Sequence, residues 1–191
     1  IAFFNVIYGL GLNQGYMRYF KEKNSLSMTV TSIFFSSFVL SFILIILSKP
    51  ISSLFQMSTY SSFIIYAAVI LYFDSLSIIP LTDLRMKHRS LTFVFIKIFS
   101  IVLNVILNVV FLKYLKMGGE GIFIANIISS FSQMFFLGRY LKYINLKFDM
   151  PVFKEMLSYS LPYIPSSMSS VIVQLVDRPI MMMLISSYYV G

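Results

Sequence analysis

Six long apolar runs with almost nothing between them constrain this chain more than any other feature. They cover roughly residues 1–20, 27–48, 61–82, 91–112, 119–141 and 156–187, each near or above the ~20 residues a helix needs to cross a hydrocarbon core. The connections hold the charges and turn residues: KEKN at 21–24, SKP at 48–50, LRMKHR at 84–89, KYLKMGGEG at 113–121, and the stretch from Arg139 to Lys154. None is long enough for an extramembrane domain. The last run is longer than a crossing requires. Its beginning, PVFKEMLSYS, is expected along the interface before Pro162 and Pro165 redirect the chain into the bilayer.

Composition agrees on the solvent. With 58% hydrophobic and 12% charged residues and a mean hydropathy of +0.85, a chain of 191 residues cannot hide its apolar side chains inside a water-soluble globule. The expected fold class is all-α, a polytopic bundle of transmembrane helices with six spans. No cysteine is present, which removes disulfide frameworks, thiolate metal sites and a catalytic thiol. Ile1 begins inside an apolar run without the basic region of a signal peptide, and the chain reads as part of a longer protein. No cofactor is implied.

Basic residues alternate by connection. Arg18, Lys21 and Lys23, then Arg85, Lys87 and Arg89, then Arg139, Lys142, Lys147 and Lys154 fall in the odd connections, whereas the even ones hold only Lys49, Lys113 and Lys116. That asymmetry is the positive-inside pattern, and it assigns the connections near 21–26, 83–90 and 140–155 to the cytoplasmic side of a multi-pass inner-membrane protein. It also accounts for the net charge of +8. Nucleic-acid binding would gather these cations on one face among aromatics, so it is set aside.

Four charges remain inside the runs: Asp74, Lys97, Asp177 and Arg178. An intramembrane charge marks a functional site by default, because it is costly unless paired or used. Lys97 and Asp177 belong to polar stripes of helical spacing, and Arg178 adjoins the second of these. Tyr163, Ser167, Ser170, Gln174 and Asp177 form one; Lys97, Ser100, Asn104 and Asn108 another; Asn126, Ser130 and Gln133 a third; and Asn5, Gly9, Asn13 and Tyr16 or Met17 a fourth. Together they suggest a shared polar interior.

Packing competes with function at each stripe, since amides and hydroxyls between membrane helices often only join neighbours, at about 0.6 to 2 kcal/mol per contact. Thr29, Ser32, Ser36 and Ser41 are read as such packing. Asn104 and Asn108 fit either reading. Lys97 is close enough to its helix end to snorkel, whereas Asp74 lies ~15 Å from the cytoplasmic end of its helix. Asp177 and Arg178 point about 100° apart, so at least one needs a partner elsewhere, and the functional reading is preferred. His88 is explained by a solvated basic turn. Gly118, Gly119 and Gly121 lack the flanking residues of a phosphate loop and are expected in a tight outer turn. No hydrolytic triad, metal-ligand cluster or convergent carboxylate pair supports an enzyme.

The run LPYIPSSMSSVIVQLVDRPIMMMLISSYYVG at 161–191 resembles the seventh helix of bacterial polysaccharide and oligosaccharide flippases, with a Pro-rich start, a Ser-rich middle, an Asp-Arg pair and a closing Val-Gly. GLGLNQGYMRYFKEK is similar to the end of their second helix, and MGGEGIFIANIIS to the Gly-rich start of their sixth. Pro179 departs from the pattern, which more often has a bulky apolar residue there. The resemblance implies helices two to seven of a twelve- to fourteen-helix exporter in the multidrug and oligosaccharidyl-lipid superfamily. Residues 1–150 would then complete an N-terminal lobe lacking its first helix, and 151–191 would open a C-terminal lobe. It implies a polyprenyl-diphosphate-linked glycan as substrate, with membrane lipids, a coupling ion (H+ or Na+) and polysaccharide-assembly proteins as partners. The substrate pathway would draw on Arg178, Asp177, Gln174, Ser170, Asp74, Lys97, Asn104, Asn108, Asn13 and Arg18. A cation-coupled multidrug exporter and a membrane glycan polymerase are the alternatives.

Overall fold

The computed structural model describes residues 2–22, 24–54, 61–144 and 149–184, and among them all regular structure is helical. In chain order these are α1 (Ala2–Tyr8), α2 (Leu12–Arg18), α3 (Ser25–Ile46), α4 (Ser48–Leu54), α5 (Ser61–Met86), α6 (Ser90–Val109), α7 (Gly119–Phe136), α8 (Met150–Ser160) and α9 (Tyr163–Leu184). A π-helical turn, Val110–Tyr114, extends α6, and a 3₁₀ segment, Gly138–Tyr143, follows α7. The closing Val-Gly, residues 55–60 and 145–148, Lys23 and the Arg178 side chain lie outside the described residues.

Among the described residues three helices are long and apolar enough to cross a membrane: Ser25–Ile46, Ser61–Met86 and Ser90–Tyr114. The other three runs expected to cross do not show this among the described residues. The first is broken where Leu10 and Gly11 both take left-handed backbone, at φ 48° and 62°. A leucine in that region is strained, and the break splits the run into two short helices. The fifth run gives only the 18 residues of α7, diluted by Glu120, Asn126 and Gln133. The sixth bears Pro179 inside α9.

Helix α5 is the hub and packs on α1, α2, α3, α4, α6 and α7. Its inner half builds the core, where Leu76 and Ile79 meet Leu12 and Tyr16 of α2, Val30 and Ile33 of α3 and Met134 of α7. Helix α6 is different, with only 6% of its most apolar window buried. Leu91, Phe95, Ile98, Val102 and Ile106 all point outward, as expected of a helix whose apolar side meets lipid rather than protein. Its polar stripe is the side turned toward α7.

Of the α3 hydroxyls expected to join neighbours, Ser41 does so, while Thr29, Ser32 and Ser36 bond chiefly within their own helix. Thr29, Ser32 and Ser36 donate to the preceding-turn carbonyls of Ser25, Met28 and Ile33, and Ser41 links to the Ala68 carbonyl and the Tyr8 hydroxyl across the α3–α5 and α3–α1 contacts. The glycine turn behaves as expected. Gly118 sits at φ 59° and ψ −141°, open only to glycine, and a Cβ on Gly121 would fall 2.8 Å from Phe111 Cβ.

The odd-numbered connections meet at one end of the bundle. Tyr16 in α2 reaches Asp83 in α5, Ser27 at the start of α3 donates to the Tyr143 carbonyl at 2.6 Å, and Tyr140 packs into a cluster with Leu81, Leu84, Ile96 and Leu137. Helix α8 closes the same end against α2. There Gly11 and Gly15 permit close approach: a Cβ on Gly11 would stand 2.6 Å from the Ser160 carbonyl oxygen.

Candidate functional site

The polar stripe of α6 and that of α7 face each other because both helices turn their apolar sides outward, and α5 contributes Asp74 between them. The resulting cavity of about 450 Å³ is lined by Asp74, Lys97, Ser100, Asn104, Ser130 and Gln133, among others, with Asn5 of α1. A volume of this size falls in the range of small-ligand sites. Its lining is mixed and open on one side, with Ile78, Leu81, Ile101 and Val105 among the polar groups.

Its wiring is specific. Ser130 Oγ donates to Asp74 Oδ1 at 2.6 Å. Asn104 Nδ2 donates to Asn126 Oδ1 at 3.1 Å and to Ser129 Oγ at 3.0 Å, and Ser100 Oγ donates to the Ser129 carbonyl at 3.2 Å. One step along α6, Asn108 Nδ2 donates to the side-chain and main-chain oxygens of Asn104, at 2.8 and 3.0 Å. Asn104 therefore joins α6 to α7, as the packing reading expects, and also lines the cavity.

Two further features mark this cavity. Lys97 and Asp74 line it together, yet the ion pair found among the described residues is a different one, Lys87 with Asp83. In addition, Asn5 Oδ1 is buried without a hydrogen-bond partner and borders the same space. Buried acceptors of this kind are rare and call for an explanation. Among the described residues no group of three metal-ligating side chains occurs.

The predicted site residues divide into separate places. Asp74, Lys97 and Asn104 converge on the cavity, with Asn108 beside it. Asn13 is half-buried on α2, and the break at Leu10–Gly11 interrupts the stripe that ran from Asn5. Arg18 is exposed at the end of α2 with its guanidinium over the Tyr159 ring, 4.3 Å from the centroid. Ser170, Gln174 and Asp177 are exposed along α9, which packs mainly on α1, and Ser170 is bonded back to the Ser166 carbonyl. Arg178 is placed on the same helix.

Sequence reasoning missed Asp83, which it had assigned to a connection. The residue is fully buried, accepting from Tyr16 Oη at 2.6 Å and pairing with Lys87 Nζ at 2.8 Å. The acid-then-lysine spacing of four residues was the available signal. His88 is a helix terminator: with φ 55°, its N–H bonded to the Arg85 carbonyl and the Arg89 N–H to the Leu84 carbonyl, it occupies the left-handed position of a Schellman motif.

Fold and cavity together define an all-α helical membrane protein with a partly polar cavity between its helices. The chain matches the family model described as "Polysaccharide biosynthesis protein" over residues 1–191, and it belongs to that family. No curated protein and no solved structure matches it.

Proposed function

We propose that the protein moves a polyprenyl-diphosphate-linked oligosaccharide from the cytoplasmic to the outer leaflet of the cell membrane, as a transporter and not an enzyme. The observation that carries this reading is the cavity in which Asp74, Lys97 and Asn104 meet inside an apolar bundle. A diphosphate needs a cation where water is scarce, a role given to Lys97. Sugar hydroxyls need amide and hydroxyl partners, a role given to Asn104, Asn108 and Ser100. Asp74 carries the coupling ion, H+ or Na+.

In this proposal residues 1–150 belong to one lobe and 151–191 open a second, and the two alternate in access about the chamber. The basic end faces the cytoplasm, where polysaccharide-assembly proteins deliver the cargo. Asp177 and Arg178, with Gln174 and Ser170 on the same helix, steer the head group from the second lobe, and Arg18 and Asn13 guide it at the cytoplasmic mouth.

The test is glycan export by membrane-inserted variants. Lys97→Gln and Arg178→Ala should each abolish export and leave lipid-linked glycan in the cytoplasmic leaflet; normal export by both would sink the reading. Asp74 in the chamber also favours a second one, a cation-coupled multidrug exporter of the same superfamily. Transport of cationic dyes that depends on Asp74, with no movement of lipid-linked sugar, would establish that alternative. A glycan polymerase would need a long outer connection with catalytic residues, and those at 49–60 and 113–118 are short.

A further inference from the structure

At the basic end of the bundle a second cavity of about 510 Å³ lies between the α5–α6 turn and the 3₁₀ segment. It is lined by Lys87, Arg89, Arg139, Lys142, Tyr140 and Tyr143. Four cations and two phenols line it, and among the described residues no acid does. Among these residues only Lys87 is neutralised, by Asp83 behind it, and the first turn of α6 has no acidic residue to offset the rest. Three positive charges therefore share one hollow uncompensated.

Their positions are held by the backbone beneath them. Arg89 is set by the Schellman turn that ends α5. Arg139 and Lys142 ride on the 3₁₀ segment, which is anchored by the buried Tyr140 ring among Leu81, Leu84, Ile96 and Leu137 and by the Ser27 hydroxyl on the Tyr143 carbonyl. Like charges gathered on anchored backbone repel one another unless an anion is shared, and three guanidinium or ammonium groups with nearby phenols suit the oxygens of a phosphate.

We infer that this cleft binds the phosphate group of an anionic membrane lipid. The flanking helix α6 presents Leu91 and Phe95 outward, so an acyl chain can continue along apolar surface from the cleft. On the orientation proposed above, the cleft also opens at the leaflet richest in anionic lipid, where each basic residue strengthens attachment.

The experiment is retention of phosphatidylglycerol by the purified protein from mixed phosphatidylglycerol–phosphatidylcholine vesicles, read by native mass spectrometry. Replacing Arg89, Arg139 and Lys142 together by Gln should lower retention about tenfold or more, whereas Lys49→Gln, Lys113→Gln and Lys116→Gln together, an equal loss of charge, should leave it unchanged. The single variant Arg139→Gln, at an exposed position, should show a smaller loss in the same direction and guards against misfolding of the triple. Inorganic pyrophosphate identifies the source of the phosphate: failure to displace the lipid supports a lipid occupant, and binding of pyrophosphate at these residues without lipid retention assigns the cleft to a soluble phosphate compound. Equal retention by wild type and both cleft variants, or equal loss in the Lys control, overturns the site. These outcomes are independent of glycan export, so the cleft and the cargo are tested separately.

Discussion

The Ser130 hydroxyl on α7 donates to the Asp74 carboxylate on α5 across 2.6 Å, joining two helices at the wall of the cavity. The bond holds one carboxylate oxygen toward α7 while the cavity also receives Lys97 from α6. Three helices thus determine where a single negative charge sits.

Removing that charge should matter more than removing its hydroxyl partner. A hydrogen bond to a charged group contributes about 1.5–3 kcal/mol, which corresponds to roughly ten- to a hundredfold in a rate or affinity. Ser130→Ala deletes that bond and is expected to lower glycan export by up to that factor, whereas Asp74→Asn removes the carboxylate given the coupling ion and is expected to abolish export. Export assayed in cells with matched membrane levels checks both, and equal activity of Asp74→Asn and wild type would remove Asp74 from the mechanism.

The buried Asp83 carboxylate depends on Tyr16 and Lys87. Tyr16→Phe takes away one donor and should cost about 1–3 kcal/mol of stability. Lys87→Met leaves the charge buried without its counter-ion and should cost more, about 3–5 kcal/mol for a fully buried pair and less here because the Lys87 side chain is 42% exposed. Thermal unfolding in detergent reads both; a Tyr16→Phe protein as stable as wild type contradicts the assignment.

Helix α8 is seated on α2 through glycines. A Cβ at Gly15 would strike the Ser160 hydroxyl and come within 3.2 Å of the Met156 carbonyl oxygen, and Gly11 has both a positive φ and the Ser160 carbonyl beside it. Gly11→Ala should therefore destabilise by at least the roughly 1–2 kcal/mol of left-handed strain. The same change should also loosen α8, so that trypsin cuts faster after Lys154. Unchanged cleavage would show that α8 is held by other contacts.

His88 offers the opposite case. Its left-handed backbone terminates α5 where glycine is the usual residue, so His88→Gly should stabilise by up to about 1 kcal/mol and leave export untouched. Loss of export in a stable His88→Gly protein would give the imidazole a role that its exposed position does not suggest.

Much of this was readable residue by residue. The spacing of Lys97, Ser100, Asn104 and Asn108 put them on one side of a helix, and that side does turn inward in α6. Ser41 of α3 was legible as packing, and Gly118 as a turn, the latter because short-range geometry alone decides it. The break at Leu10–Gly11 was not legible: leucine gives no warning of a positive φ, which tertiary contacts must impose. Asp83 escaped for a related reason, since its proximity to the basic connection suggested water.

The sequence by itself determined the solvent, the helical class, the family and which polar residues share one side of a helix, because hydropathy and a period of 3.6 residues are local properties. Only the tertiary structure decided which polar sides meet. Asp74 found Ser130 at a separation of 56 residues and Tyr16 found Asp83 at 67, while the stripe on α9 stayed exposed beside α1. Periodicity states which way a side chain faces on its own helix; the neighbour it faces depends on how the helices cross, and that is a property of the packed bundle.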